Sequence, residues 1–299
     1  MCEDFKKMIQ VLLCRIISAL LFVFHGSLII VFICGAPAIA NEHITKTVFP
    51  IGELFEPLVA DVKEAQFSTG LHQTNSSGQL GHFTAAVVSY GESFGLMRWQ
   101  TTSGHQWQLS LTGAIFAQFN MDSPSWDLIN ADYAIGLSTT HRRGAVSYRL
   151  LGLHQSTHLG DEYLLSEASP ERINFSMEFL EGLVSYEWSM WRIYGGGAYL
   201  LHIEPSSVDN IALQYGMEFH DTQSRLFNGR WIGGVNLSMF EGNNWKPDIT
   251  AKVGLEFGRP GSGNRRIRVM LEGYKGHSPF GQFFDVRITS YGLSIYLGY

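Results

Sequence analysis

From about residue 66 to the end of the chain, apolar and polar side chains alternate in short runs bounded by Gly, Pro, Asn, Asp or Ser. Period two marks a strand, because successive side chains on an extended backbone point to opposite faces. Over 107–119, Trp107, Leu109, Leu111, Ile115 and Phe119 share one face, and Gln108, Ser110, Thr112 and Gln118 share the other. The runs 211–219 and 249–257 repeat the pattern. The last run carries Thr289, Tyr291, Leu293, Ile295, Leu297 and Tyr299 on one face. Counting back from Tyr299, the alternation predicts twelve strands: 66–74, 82–100, 106–119, 131–140, 145–157, 172–187, 191–203, 210–220, 229–240, 248–258, 265–275 and 288–299. No long helical period follows residue 41.

A soluble sandwich would also alternate, so the chemistry of the two faces decides. The bulky aromatic and aliphatic residues gather on one face. The other carries Asp132, Arg149, Glu218, Lys252, Glu256, Arg268 and Glu272 among small residues. Apolar outward and polar inward, over strands of roughly ten residues, is the pattern of a transmembrane barrel. Hydrocarbon enforces closure, since an open strand edge there leaves backbone groups unsatisfied. The expected fold is therefore all-β, a 12-stranded antiparallel transmembrane β-barrel of the bacterial outer membrane over 66–299. An even count puts both ends in the periplasm and most long connections outside. Inward charges of both signs predict a lumen filled by a polar network.

Two local features follow. Strand 82–100 is too long for one regular crossing, which predicts a bulge at Gly91-Glu92-Ser93. If the turn after 258 centres on 261–263, Glu256 faces Arg268 and Lys252 faces Glu272 inside the barrel. Val253 then meets Leu271 and Leu255 meets Val269 outside, and both inward pairs join opposite charges.

The segment 1–40 reads as a signal peptide for the general secretory route. Lys6 and Lys7 precede an apolar run from Met8, and Ala38-Ile39-Ala40 forms a small-x-small exit before Asn41. A retained helix is the structural alternative, and Met8 is an alternative start. All three cysteines (Cys2, Cys14, Cys34) lie in this leader, as suits a chain bound for an oxidising compartment. Residues 41–65 are expected as a short periplasmic stretch. Without Lys6, Lys7, Arg15, Glu3 and Asp4, the totals of 21 basic and 27 acidic residues become 18 and 25. That balance argues against nucleic acid as a partner and leaves outer-membrane lipids as the natural one. A terminal alternating strand closing on the aromatic Tyr299 matches the signal read by the barrel-assembly machinery.

Candidate chemistry concentrates in His154-Gln155-Ser156-Thr157-His158-Leu159-Gly160-Asp161-Glu162, which ends the fifth strand at the outer rim. Alternation puts His154 and Ser156 on the lipid face with Val146, Tyr148, Leu150 and Gly152. A histidine beside a serine takes the hydroxyl proton and makes the oxygen a nucleophile, with a third group orienting the imidazole. Twelve strands, a His-x-Ser ending an upward strand and an Asn early in the next resemble outer-membrane phospholipase A. The resemblance implies Ser156 as nucleophile, His154 as base and Asn174 as orienter. It further implies calcium, with Asp161 and Glu162 nearby, and a homodimer. The Asn-Gly-Arg that follows the serine in that family is absent here. On the next strand, Ile173, Phe175, Met177 and Phe179 look lipid-facing, which would turn Asn174 inward, with a bulge near Glu181-Gly182. The run Phe55-x-Pro57-Leu58-x-Ala60-Asp61, Tyr90–Leu96, Asp127–Tyr133, His154–Glu162 and Tyr194–Gly197 also resembles the family of unknown function DUF1207, which implies a Gram-negative envelope protein. Two functions stay open: a structural or small-solute barrel whose polar rim merely ties down a loop, and a lipid ester hydrolase.

Overall fold

The computed structural model describes residues 43–77, 80–165, 174–204, 209–259 and 263–298. The expected signal peptide over 1–40, residues 171–173, the centre of the 259–264 turn and Tyr299 lie outside them. The alternating runs form strands as expected: β2 (Phe67–Ser76), β3 (His82–Thr101), β4 (Gln106–Asn120), β5 (Leu128–Arg143), β6 (Val146–Leu159) and β7 (Ser176–Trp188), followed by β8 (Trp191–Glu204), β9 (Ile211–His220), β10 (Arg230–Phe240), β11 (Asp248–Phe257), β12 (Arg266–His277) and β13 (Arg287–Gly298). Each pairs antiparallel with its neighbour in sequence, and β13 returns to β2 through pairs from Ile288↔Ser76 to Leu297↔Phe67. The twelve strands thus close into a barrel. A further strand, β1 (Ile44–Val48), lies on the lower part of β3.

The four-pair register between β11 and β12 holds: Glu256↔Arg268, Lys252↔Glu272, Val253↔Leu271 and Leu255↔Val269. Val253 and Leu271 are exposed to the membrane side, whereas Glu256 and Arg268 are buried. Two bulges fall elsewhere than expected. In β3 the register shifts between Gly95 and Met97, below the Gly91-Glu92-Ser93 site. In β7 the pairing with β6 runs unbroken past Glu181 and Gly182. The irregularity there is on the β8 side, between Glu178 and Phe179, where β8 carries the extra residue. A Cβ at Gly196 would strike the Gly182 carbonyl of β7 and one at Gly197 the Ala212 carbonyl of β9, so these glycines serve strand approach.

The larger correction concerns the N-terminal stretch. Residues 41–65 were expected as a periplasmic stretch, but beyond β1 the chain turns into the lumen. Leu58 and Ala60 are fully buried there. The anchor is polar. Val59 N–H donates to Glu218 Oε1 at 2.6 Å, Lys63 Nζ donates to Asp132 at 2.5 Å, and Arg149 donates to Glu64 at 2.8 Å and Glu181 at 3.0 Å. Arg149 and Arg192 also stack on the Phe55 ring, at 4.9 and 4.5 Å. The alternation gave the inward charges, but their partners on the plug are invisible to period two.

One plug carboxyl is held against its charge. Burial pushes Glu53 up to about 7, although Ser110 Oγ–H bonds to it and Arg98 stands nearby. A carboxyl raised on folding stabilises the fold fully below the unfolded value near 4.5, and that stabilisation is lost as pH rises through 7. Wild type should therefore lose on the order of 3 kcal/mol relative to Glu53→Gln between pH 4 and 9. Urea titration of the refolded barrel at several pH values checks this, and a flat difference contradicts it.

Candidate functional site

β6 and β7 build the candidate site from one repeating pattern. On β6, Ser147, Leu151, Gln155, Thr157 and Leu159 are buried, while Tyr148 is exposed and His154 and Ser156 are half-buried. Alternation therefore puts His154 and Ser156 on the outward face, as the sequence predicted. On β7, Leu183 and Ser185 are buried while Val184 and Tyr186 face outward. With no bulge on the β6 side, that alternation continues upward and turns Glu178 and Ser176 outward too.

The register then places Glu178 directly across from His154, and Ser176 across from Ser156. His154 Nδ1 and Glu178 Oε1 lie 2.8 Å apart, with side chains 23% and 21% exposed. Those exposures put the pair in the barrel surface rather than on a solvated loop. Tyr133 of β5 lies across from Ser156, is itself exposed, and meets the His158 ring edge-on at 5.7 Å. An outward tyrosine at this level marks the outer aromatic girdle, so the site lies at the boundary between acyl chains and headgroups. His202 of β8 pairs with Glu178 from the other side and widens the polar patch.

The expected facing of the upper part of β7 is reversed. Phe175 is buried with Leu200 and Ile203, and Met177 and Phe179 pack against that cluster, so this apolar row faces inward and not lipid. Asn174 is exposed just above the strand. Among the described residues no hydrogen bond joins Asn174 or Ser156 to His154. The carboxylate that does reach His154 is Glu178, which the sequence reading passed over. A signal for it was present: carrying the Val184–Tyr186–Trp188 alternation upward without a break assigns Glu178 to the outer face.

Chemically, the arrangement is a nucleophile candidate and a base on one strand, with the orienting carboxylate on the next. Hydrogen bonding at Nδ1 fixes which nitrogen serves the carboxylate and leaves Nε2 for a hydroxyl or a water. Same-face residues two apart on a strand have Cα atoms about 7 Å apart, within reach of a rotamer change or one intervening water. An ionisable pair on a lipid-facing wall is costly and marks a functional-site candidate.

The calcium expectation fits less well. Asp161 and Glu162 open a one-turn helix, α1 (Asp161–Leu164), and both are exposed. Among the described residues no three His, Cys, Asp or Glu side chains gather as a metal site would need. Calcium takes six to eight oxygens, and two adjacent helix carboxylates do not supply such a cage.

Comparison with known proteins agrees with this architecture. The model of the family described as Protein of unknown function (DUF1207) matches residues 29–299. Among solved structures, outer membrane phospholipase A from Escherichia coli has a TM-score of 0.50 at 10% identity, covering 82% of this chain and 94% of that one. An active-site mutant of the same enzyme gives 0.53 at 11% over the same shares. The Salmonella typhi outer membrane phospholipase, a dimer with bound calcium, gives 0.51 at 10% over 79% and 91%. At such identities the likeness is one of fold. No curated protein matches the chain.

Proposed function

The chain belongs to the DUF1207 family, and from that premise we propose that it is an outer-membrane lipid ester hydrolase with Ser156 as nucleophile, His154 as general base and Glu178 as orienting carboxylate. The observation that carries this reading is the 2.8 Å contact between His154 and Glu178 on the outer wall, on the same face as Ser156. A substrate acyl ester lying just below the headgroups meets that face without leaving the bilayer.

In this mechanism Ser156 Oγ attacks the acyl carbonyl while His154 Nε2 takes the hydroxyl proton. The imidazolium is stabilised by Glu178 and returns the proton to the departing alcohol. A water deprotonated by His154 then cleaves the acyl-serine ester, releasing the fatty acid. Glu178 replaces Asn174 in the role that the phospholipase resemblance implied. The same proposal includes export by the secretory route, insertion through the barrel-assembly machinery and a homodimer like that of the Salmonella relative. The lumen argues against an open solute pore, because residues 53–66 and their ion pairs occupy it.

The test is hydrolysis of phospholipid in mixed micelles by the refolded full chain, with folding verified by heat-modifiable gel mobility. Wild type should turn over, and Ser156→Ala should lose about 10³-fold or more. A folded wild type that leaves phospholipid intact, or equal turnover by the variant, returns the His154–Ser156 pair to a structural role.

A further inference from the structure

At the opposite end of the barrel the wall has a notch. β2 accompanies β3 only as far as Ser68↔Ser89. β1 does not rejoin β3 until Val48↔Met97, with Phe49 N–H bonded to the Leu96 carbonyl. The edge of β3 from Tyr90 to Gly95 therefore has no partner strand on that side. Further along, Trp99 and Trp107 pair across β3 and β4 and mark the periplasmic girdle. The notch thus sits at the depth of the periplasmic leaflet, where hydrocarbon cannot satisfy open backbone groups.

A cavity of about 680 Å³ opens there. Its outer lining includes Phe67, Phe94 and Leu297, all exposed, and its inner lining includes the buried Arg266 and Arg268. Three guanidiniums converge on one carboxylate: Glu256 is reached by Arg230 at 2.8 Å, Arg268 at 2.9 Å and Arg266 at 3.4 Å. Arg266 is 6% exposed, and its Nε has no hydrogen-bond partner among the described residues. One carboxylate cannot neutralise three guanidiniums. Of the acids bordering the cavity, Glu92 faces outward and burial weakens the charge of Glu53, which leaves Glu56 and a count still short of three. Burying an unbalanced arginine is costly unless an anion joins it.

We propose that this notch binds one anionic phospholipid of the periplasmic leaflet, its phosphate on Arg266 and its acyl chains over Phe67, Phe94 and Leu297. A phosphate matches the planar guanidinium and offers acceptors to the free N–H groups of the β3 edge. The site lies at the other end of the wall from Ser156 and stands independently of the hydrolase reading.

The experiment is native mass spectrometry of the refolded full chain, extracted from vesicles of equal phosphatidylglycerol and phosphatidylcholine. Retention of one phosphatidylglycerol per barrel, about tenfold over phosphatidylcholine, is expected. Arg266→Gln should cut that retention about tenfold while Arg230 and Arg268 still hold Glu256. Because that variant could misfold, Ser93→Trp, which fills the cavity from β3, provides a second route to the same loss. Equal retention of the two lipids, or retention unchanged in both folded variants, overturns the proposal. Displacement of the lipid by millimolar inorganic phosphate also overturns it, since the site would then serve a soluble anion.

Discussion

Glu178→Gln is expected to lower phospholipid turnover by about 10²–10⁴-fold, mostly in kcat, with the barrel still folded. In serine hydrolases of known mechanism, changing the orienting carboxylate to an amide costs about that much, because the imidazole adopts the wrong tautomer and its cation loses stabilisation. Here Glu178 touches His154 at 2.8 Å from the next strand and supports nothing in the lumen, so the loss should not come from unfolding. Asn174→Ala is the matched control. The phospholipase resemblance makes Asn174 the orienter, whereas the geometry leaves it exposed and unbonded to His154. Its turnover should stay within about twofold of wild type on the geometric reading. Steady-state kinetics on the two variants decide between them. A large loss in Asn174→Ala with Glu178→Gln intact would restore the analogy and remove Glu178 from the mechanism.

The contrast between Glu178 and Asn174 has a physical origin in what alternation encodes. Hydrocarbon on one side and a polar lumen on the other impose period two, so the twelve strands, their facing outside upper β7 and the Glu256–Arg268 register were legible from alternation alone. The outward alternation of His154 and Ser156 along β6 follows for the same reason. Glu178 was missed because Phe175, Met177 and Phe179 look lipid-facing by composition. Phe175 is instead buried, with Phe284 of the last loop against it at 5.3 Å, and the half-buried Met177 and Phe179 pack against the same cluster. Local apolarity cannot distinguish lipid from a capped barrel mouth. The plug was illegible for a different reason. Residues 49–66 form no regular element, and the partners of Leu58, Val59 and Lys63 lie on strands far away in sequence.

The plug carries the other large effect. Glu218→Ala should destabilise the barrel by about 3–5 kcal/mol and release residues 53–66 from the lumen. Glu218 is fully buried, accepts the Val59 N–H at 2.6 Å and pairs with Arg192 at 3.2 Å. Arg192 already has its Nε and Nη2 buried without partners, so losing Glu218 leaves it with the Glu56 carbonyl at 2.9 Å and the Phe55 ring. An unpaired buried guanidinium and an orphaned backbone N–H both favour the state in which the plug leaves and water enters. Glu218→Gln keeps an acceptor for Val59 but not the charge, and should fall between. Because all three cysteines lie within residues 1–40, a single Ala60→Cys reporter on a chain begun at residue 41 reads plug exposure through maleimide labelling. Labelling should be slow with Glu218 present and about a hundredfold faster in Glu218→Ala, in step with a lower urea midpoint. If midpoint and labelling both stay unchanged, the ion pair does not hold the plug, and the apolar contacts of Phe55 and Leu58 must suffice.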